Sequence, residues 1–551
     1  MIRLSFKPLS LGLLTLACMA AASTASAGTL TTWLGSGTSS NWSTDANWTT
    51  TPTTSGTFSL VYESNRIRMT GTNNLAPPDA VKVDSILFAS TVGSSTSNFT
   101  LAKSATTPAL SLLNGATVTT IAATSGTLSD SISSAIAFGG TATFNIGSLH
   151  NLLLSGTLSG GGSLVKQGAG DLNLSNTNDL TALSIEQGTV QVNTTSLGGI
   201  TGLTVDIGSS GQTGTFRTAN LGTTPVQTNI KFNLNGDANI TPNNSNITFN
   251  AANFNQAVAS VTTPVTLSLI GGFSDASKGT QTINGVIQDN SASGKVNVTI
   301  GTPTSWTVWV LNGINTYTGD TTVAAGGKLL MNGTISGSST TTSYGYLGGS
   351  GTFGGAVIVS SGTLAPGGSS LSGVIADTVG ALTMASLSLS SSATTLLNIT
   401  GSTSGLYDQL IGSSTLNYGG TLALTMADTT SYNNGTFFNL FTGFTGSPTG
   451  DLSAVTLAAV GTDFDGLTFR SFNSMSTGEQ DFLSARFGLT AGDWYSDFNT
   501  NHQALVFSQS TAKLTVVPEP STCAMALAGL AYGGWQVFRR RRLRQAPTPA
   551  A

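Results

Sequence analysis

The chain has 551 residues, 39% of them apolar and only 8% charged, with 67 glycines and a formal net charge of −4. Typical globular proteins carry roughly 25% charged residues, so this surface is built from hydroxyls and amides, and it lacks the basic excess that a nucleic-acid partner requires. The frequent Val, Ile, Leu and Phe exceed what a disordered chain carries, which leaves β-structure with many tight turns as the expectation.

At the front, Arg3 and Lys7 precede an apolar stretch from Leu9 to Ala22, followed by the small-residue site Ala25-Ser26-Ala27. This reads as a secretory signal peptide over residues 1–27, cut between Ala27 and Gly28, with the Sec translocon and signal peptidase as implied partners. Cys18 leaves with that leader and Cys523 lies in the C-terminal apolar run, so residues 28–517 are held without disulfides. That body carries 13 basic and 23 acidic residues. Residues 28–130 read as an N-terminal β-rich cap with first coils. In it, Trp33, Trp42 and Trp48 precede Phe58, Ile86, Phe88 and Phe99. These are expected to be core aromatics that seal the end of the fold, a sugar-stacking platform on Trp42 and Trp48 being the alternative.

Over 131–386 a short alternating strand, a glycine or asparagine and another strand recur. Leu172 and Leu174, and again Val190 and Val192, point to one face, while Asn173 and Gln191 point to the other. A second copy runs from Val308 through Asn315, Tyr317 and Gly319 to Leu329 and Met331, and a third related piece runs from Leu347 to Gly367. These stretches resemble the autotransporter-associated β-strand repeat, with a Lys-x-Gly-x-Gly turn matched by Lys166, Gly168 and Gly170 and an Asn-x-Tyr-x-Gly turn matched by Asn315, Tyr317 and Gly319. Leu180 and Ala182 replace the tyrosine and glycine in the first copy, and the lysine turn is missing before Val308. Stacked copies bury a continuous core that one copy cannot bury alone. The expected fold class is therefore all-β, a parallel β-helix or β-solenoid, with an antiparallel β-sandwich array as the alternative.

From 387 to 517 the glycine corners thin out, and Phe437 to Phe441 and Phe482 to Phe487 suggest further coils or a small β-rich cap over the last strand edge. Catalytic signatures are scarce. His150 and His502 are far apart and read as surface or turn residues, and no nucleophile elbow, zinc spacing or phosphate loop occurs. Asp275 with Asp289, Asp408 with Asp428, and Asp493 with Asp497 are the acidic pairs a β-helical polysaccharide lyase or glycoside hydrolase would draw on. No basic or aromatic residues gather around them, since Lys278, Lys295 and Lys328 are scattered. The expectation is a non-enzyme without cofactor or metal. A polysaccharide-degrading enzyme is the alternative, followed by an ice-binding solenoid, for which no regular Thr-x-Thr ladder is visible.

Residues 518–544 combine Pro518-Glu519-Pro520, an apolar run from Thr522 to Phe538, and the cluster Arg539, Arg540, Arg541 and Arg542, with residues 545–551 as a short end. An extended hinge, a segment at the short limit of a membrane span and a cationic stop stand in that order. This tail resembles the PEP-CTERM sorting signal of Gram-negative bacteria. The resemblance implies that an exosortase, a membrane cysteine protease, recognises Pro518-Glu519-Pro520 and releases or re-attaches the protein. The chain would then be transiently anchored in the inner membrane and delivered to the cell surface or extracellular matrix, with exopolysaccharide as a possible partner there.

Overall fold

The fold is that of a computed structural model, and the described residues are 28–518 except 64–68, 76–79, 91–97, 104–109, 251–253, 257–262, 272–278, 290–293, 304–306, 338, 369–377, 427–431 and 460–462. The leader and everything from Glu519 onward, including the apolar run and the arginine cluster, lie outside them.

Period-two alternation builds the coils. In the strand Asp171–Leu174 the leucines are buried and Asn173 is half-buried, and the same holds for Val190, Val192 and Gln191 in Gly188–Val192. The two strands pair in parallel with Leu172 opposite Val190 and Leu174 opposite Val192. Inward residues thus stack on inward residues from coil to coil, giving a parallel β-solenoid.

The chain divides into two units, one ending at Asn220 with Asn229–Ala238 added, the other made of Leu221–Thr228 and everything from Asn239 onward. In the first, one parallel sheet runs through Thr29–Trp33, Thr57–Glu63, Val81–Ala89, Leu110–Thr120, Thr141–Ile146, Ser163–Gln167, Ala182–Ile185, Thr204–Ile207 and Lys231–Leu234. A second parallel sheet contains Thr70–Asn73, Thr100–Lys103, Leu128–Ile132, His150–Leu154, Asp171–Leu174 and Gly188–Val192. One end is closed by aromatics. Trp42 is fully buried and Trp48 nearly so, their rings meeting edge-on at 5.2 Å, and Tyr62 stacks on Phe88 at 5.4 Å. The tryptophans are core, and the sugar-stacking alternative falls because neither ring face is open to a ligand.

In the second unit the coils are three-sided. One column contains Thr280–Ile283, Val308–Leu311, Lys328–Met331, Tyr346–Gly349 and Gly362–Pro366. Another contains Val296–Ile300, Thr321–Val323, Thr341–Ser343, Ala356–Val359 and Ser386–Leu389. The third contains Ile314–Asn315, Thr334–Ile335, Thr352–Phe353, Ala381–Thr383, Gln409–Ile411 and Phe441–Thr442. Coils continue as far as Ala454–Ala459. An antiparallel sheet follows in the order Phe437–Asn439, Lys513–Pro518, Gln503–Ser508, Trp494–Ser496 and Phe469–Ser471.

The aromatics Phe482 and Phe487 lie on an α-helix, Thr477–Phe487, and not on a strand. Ser476 and Glu479 start it, with the Glu479 carboxylate accepting from the Ser476 N–H at 2.9 Å, and Gly488 ends it at φ 70°. Leu483 packs with Phe472, Met475, Leu489, Tyr495, Ala504 and Val506 against the antiparallel sheet. Among the described residues no helix is long and apolar enough to cross a membrane.

Candidate functional site

The residues that sequence patterning singles out are brought together as links between neighbouring coils. Lys166 is fully buried, and its ammonium donates to the carbonyls of Gln167 at 2.8 Å, Gly168 at 2.7 Å and Gln187 at 3.1 Å. It thus joins its own turn to the turn of the next coil. Gly168 has φ 74°, and a Cβ at Gly170 would stand 2.2 Å from the Gly147 carbonyl oxygen, so the lysine turn needs both glycines, one for its backbone and one for space.

The Asn-x-Tyr turn works in the same way. Asn315 is buried, accepts from the Ile287 N–H at 3.0 Å, and donates to the carbonyls of Gly313 at 3.1 Å and Thr334 at 3.2 Å. One amide therefore ties three successive coils. Tyr317 is fully buried with its hydroxyl 2.6 Å from Thr321 Oγ1, and burial raises its phenol far above the ordinary range. In the first copy Leu180 keeps the buried apolar body of the tyrosine, and Asn178, which the sequence reading passed over, donates to the Ser196 carbonyl at 2.8 Å.

A further row was not anticipated. Asn250 donates to Gln227 at 2.6 Å, Asn284 to Asn250 at 2.9 Å, Asn312 to Asn284 at 2.9 Å, and Asn332 to Asn312 at 3.3 Å, all on the exposed side of one corner. Behind it stand Gly285, Gly313, Gly333 and Gly351. The repeated Asn-Gly dipeptide, a turn signal, was the clue available in the sequence.

The acidic candidates are anchors for the backbone. Asp289 accepts from Val296 N at 2.8 Å and Thr318 N at 2.9 Å. Asp408 is buried and accepts from Gly380 N and Asn398 N, both at 2.7 Å. Asp493 is buried and accepts from Thr490 N at 2.8 Å and Gln509 N at 3.0 Å, whereas Asp497 faces Thr468 and Arg470 at the surface. Asp275 and Asp428 lie outside the described residues. Among the described residues no group of three or more His, Cys, Asp or Glu is placed to hold a metal ion.

His150 is not a surface residue. It is buried with Nε2 2.7 Å from Asp130 Oδ2 and Nδ1 3.0 Å from the Ile121 carbonyl oxygen. Both ring nitrogens are engaged, which leaves neither to serve as a base. His502, by contrast, is exposed in a turn at φ 58°.

Two stretches match the passenger-associated-transport-repeat, residues 164–192 and 307–329. The first holds Lys166, Gly168 and Gly170, and the second holds Asn315, Tyr317 and Gly319. The third related piece, Leu347 to Gly367, lies outside both matches although its residues form regular coils. Passenger repeats of this kind belong to exported, surface-associated chains of Gram-negative bacteria, and the parallel solenoid agrees with a passenger-like domain. The comparison with curated proteins finds no match.

The buried passenger-repeat lysine has a measurable consequence. Burial pulls the Lys166 ammonium down to about 7, with the Asp171 carboxylate opposing. The unfolded lysine titrates near about 10.4. Between these values the unfolded chain holds a proton that the folded chain has shed, so stability rises with pH, by at most about 1.4 kcal/mol per pH unit. Below the folded value both states hold the proton and the dependence vanishes. A urea midpoint that climbs from about pH 7 to 9 in the wild type, with the climb lost in Lys166→Met, is the expected result; identical pH profiles for the two proteins would refute it.

Proposed function

We propose that the chain is a non-enzymatic, exported β-solenoid of the cell surface or extracellular matrix, sorted through its PEP-CTERM-like tail by an exosortase-type protease. The Sec translocon and signal peptidase act on its leader, and the inner membrane holds its tail until processing. What carries the reading is the passenger repeat seated in a parallel solenoid, its characteristic residues committed to joining coils. Three of the candidate aspartates, Asp289, Asp408 and Asp493, are occupied by backbone N–H groups, which favours a binding or scaffolding role over hydrolysis.

The partner best suited to such a body is an exopolysaccharide or a neighbouring cell coat. Its outward columns present hydroxyls and amides, as in the series Ser268, Thr299, Thr322 and Thr342, one residue per coil. Neutral polar rows of this kind hydrogen-bond to sugar hydroxyls without demanding a charged ligand.

Deleting Pro518–Ala551 tests the sorting. Cell fractionation should show the truncated protein lost from the surface and recovered in the periplasm or medium, and unchanged surface retention would sink this part. Residues 28–517 on a glycan array, with a depolymerisation assay on the glycans bound, test the rest. Binding without new reducing ends is expected; chain cleavage would make the protein an enzyme.

A further inference from the structure

The last described strand reaches the sorting motif. Lys513–Pro518 lies between Phe437–Asn439 and Gln503–Ser508, and its pairing with the latter continues through Val517 opposite Ala504 to Pro518 opposite Gln503. On the other side Val516 donates to the Thr436 carbonyl and accepts from the Gly435 N–H, both at 2.8 Å. Val516 is fully buried, and Val517 packs against the cluster around Leu483, Leu489 and Tyr495. Gln503 is fixed in turn, its N–H donating to Asn499 Oδ1 at 2.7 Å and its side chain to the Tyr432 carbonyl at 2.8 Å. Among the described residues, the first proline of the motif is therefore the last paired residue of this sheet.

Beyond it, Glu519, Pro520 and Ser521 alone separate the paired strand from the apolar run at Thr522, roughly 10 Å of chain when fully extended. A protease working at the membrane on an extended peptide needs residues on both sides of the bond it cuts. On the N-terminal side of this motif those residues belong to the folded cap.

We propose that the antiparallel cap is a latch on its own sorting. While Lys513–Pro518 is zipped, the protease is denied the residues preceding the motif, and cutting proceeds from a state in which Val516 to Pro518 have separated from Gln503–Leu505 and from Gly435–Thr436. Peptide hydrolysis, in which water supplies a hydroxyl to the new carboxylate and a proton to the departing amine, is the protease's work; the fold controls access. When opening is fast, cleavage tracks the population of the open strand end, and strand ends are the least stable parts of a sheet. The latch rests on the reading of the tail as a PEP-CTERM-like signal.

The test compares the rate of tail removal, by pulse-chase in an exosortase-bearing host, for the full-length wild type, for a form with a short Gly-Ser linker inserted between Val517 and Pro518, and for Val516→Ala. The linker moves the whole motif clear of the sheet, giving up only the terminal pairing of Pro518 with Gln503, and leaves Lys513–Val517 in place in the cap. It should speed removal about tenfold or more, with Val516→Ala in between, as expected when the open fraction limits cleavage. Equal rates for wild type and linker form would overturn the latch while leaving the sorting reading in place. If neither is processed although both are exported, the sorting reading fails and the latch with it. Because the linker form keeps the buried Val516 and the pairing of Lys513–Val517, a folding defect in Val516→Ala does not decide the outcome.

Discussion

Replacing Gly333 with alanine is expected to destabilise the solenoid by about 3 kcal/mol or more, the upper range for forcing atoms into packed space. The cause is room and not backbone freedom, because Gly333 lies outside the left-handed region. A Cβ there would stand 2.1 Å from the Gly313 carbonyl oxygen and 2.6 Å from the Asn312 carbonyl carbon. A Cβ at Gly313 would likewise stand 1.9 Å from the Gly285 oxygen, and one at Gly351 would stand 2.2 Å from the Gly333 oxygen. Nor can the obstructing carbonyl retreat, because coil pairing fixes it: the Gly313 carbonyl accepts from the Thr334 N–H at 3.0 Å and from the Asn315 side-chain amide at 3.1 Å. Two controls separate the causes. Gly115→Ala, at φ 83° with nothing within 4 Å, should cost only the left-handed backbone preference, about 1–2 kcal/mol. Asn332→Ala removes one exposed amide link and should cost less than about 1.5 kcal/mol. Denaturant melts of the three variants give the order, and a Gly333→Ala protein as stable as Asn332→Ala would show that the corner can open. Because a solenoid is stabilised coil by coil, the Gly333→Ala melt should also lose cooperativity around the altered coil.

This corner also shows what the sequence made legible. Alternation at Leu172, Leu174, Val190 and Val192 gave the inward face, and the Lys-x-Gly-x-Gly and Asn-x-Tyr-x-Gly turns marked residues that indeed join coils. The tryptophans of the front end were legible as core because three large aromatics in a charge-poor chain need an interior. Long-range register was not legible. Successive rungs of the asparagine row are separated by 23, 34, 28 and 20 residues, since insertions loop out of coils at no cost to stacking, and no fixed period reveals which residues meet. The same irregularity hid the roles of Asp289 and Asp408, whose partners are main-chain N–H groups that carry no sequence signal. The helix Thr477–Phe487 was missed for a different reason. Ser476, Glu479 and Gly488 spelled its two ends, but the closely spaced Phe482 and Phe487 suggested a strand, and the capping pattern prevailed because it satisfies backbone groups at both termini.

Asp130→Ala is expected to be among the most damaging single changes in the body, with a loss of about 3–5 kcal/mol, as when one partner of a buried pair is removed. The arrangement leaves little freedom. Asp130 Oδ1 accepts from the Phe99 N–H at 2.6 Å, and Oδ2 faces His150 Nε2 at 2.7 Å, with both side chains fully buried. The Ile121 carbonyl, 3.0 Å from Nδ1, can only accept, so Nδ1 donates to it and Nε2 is the nitrogen that faces the carboxylate. Removing the carboxylate strands the Phe99 N–H and one imidazole nitrogen in a site that water does not reach. Asp130→Asn makes the argument sharper: its carbonyl oxygen still accepts from Phe99, and its amide donates to an Nε2 that now carries only a lone pair. That variant should recover most of the stability, lying within about 1–2 kcal/mol of the wild type, the range for exchanging one hydrogen bond for another. Urea denaturation decides between the readings. If Asp130→Ala and Asp130→Asn are equally impaired, charge and not hydrogen-bond geometry holds these coils together; if both are near wild type, the pair contributes nothing that packing of Phe99, Leu128 and Leu152 does not already supply.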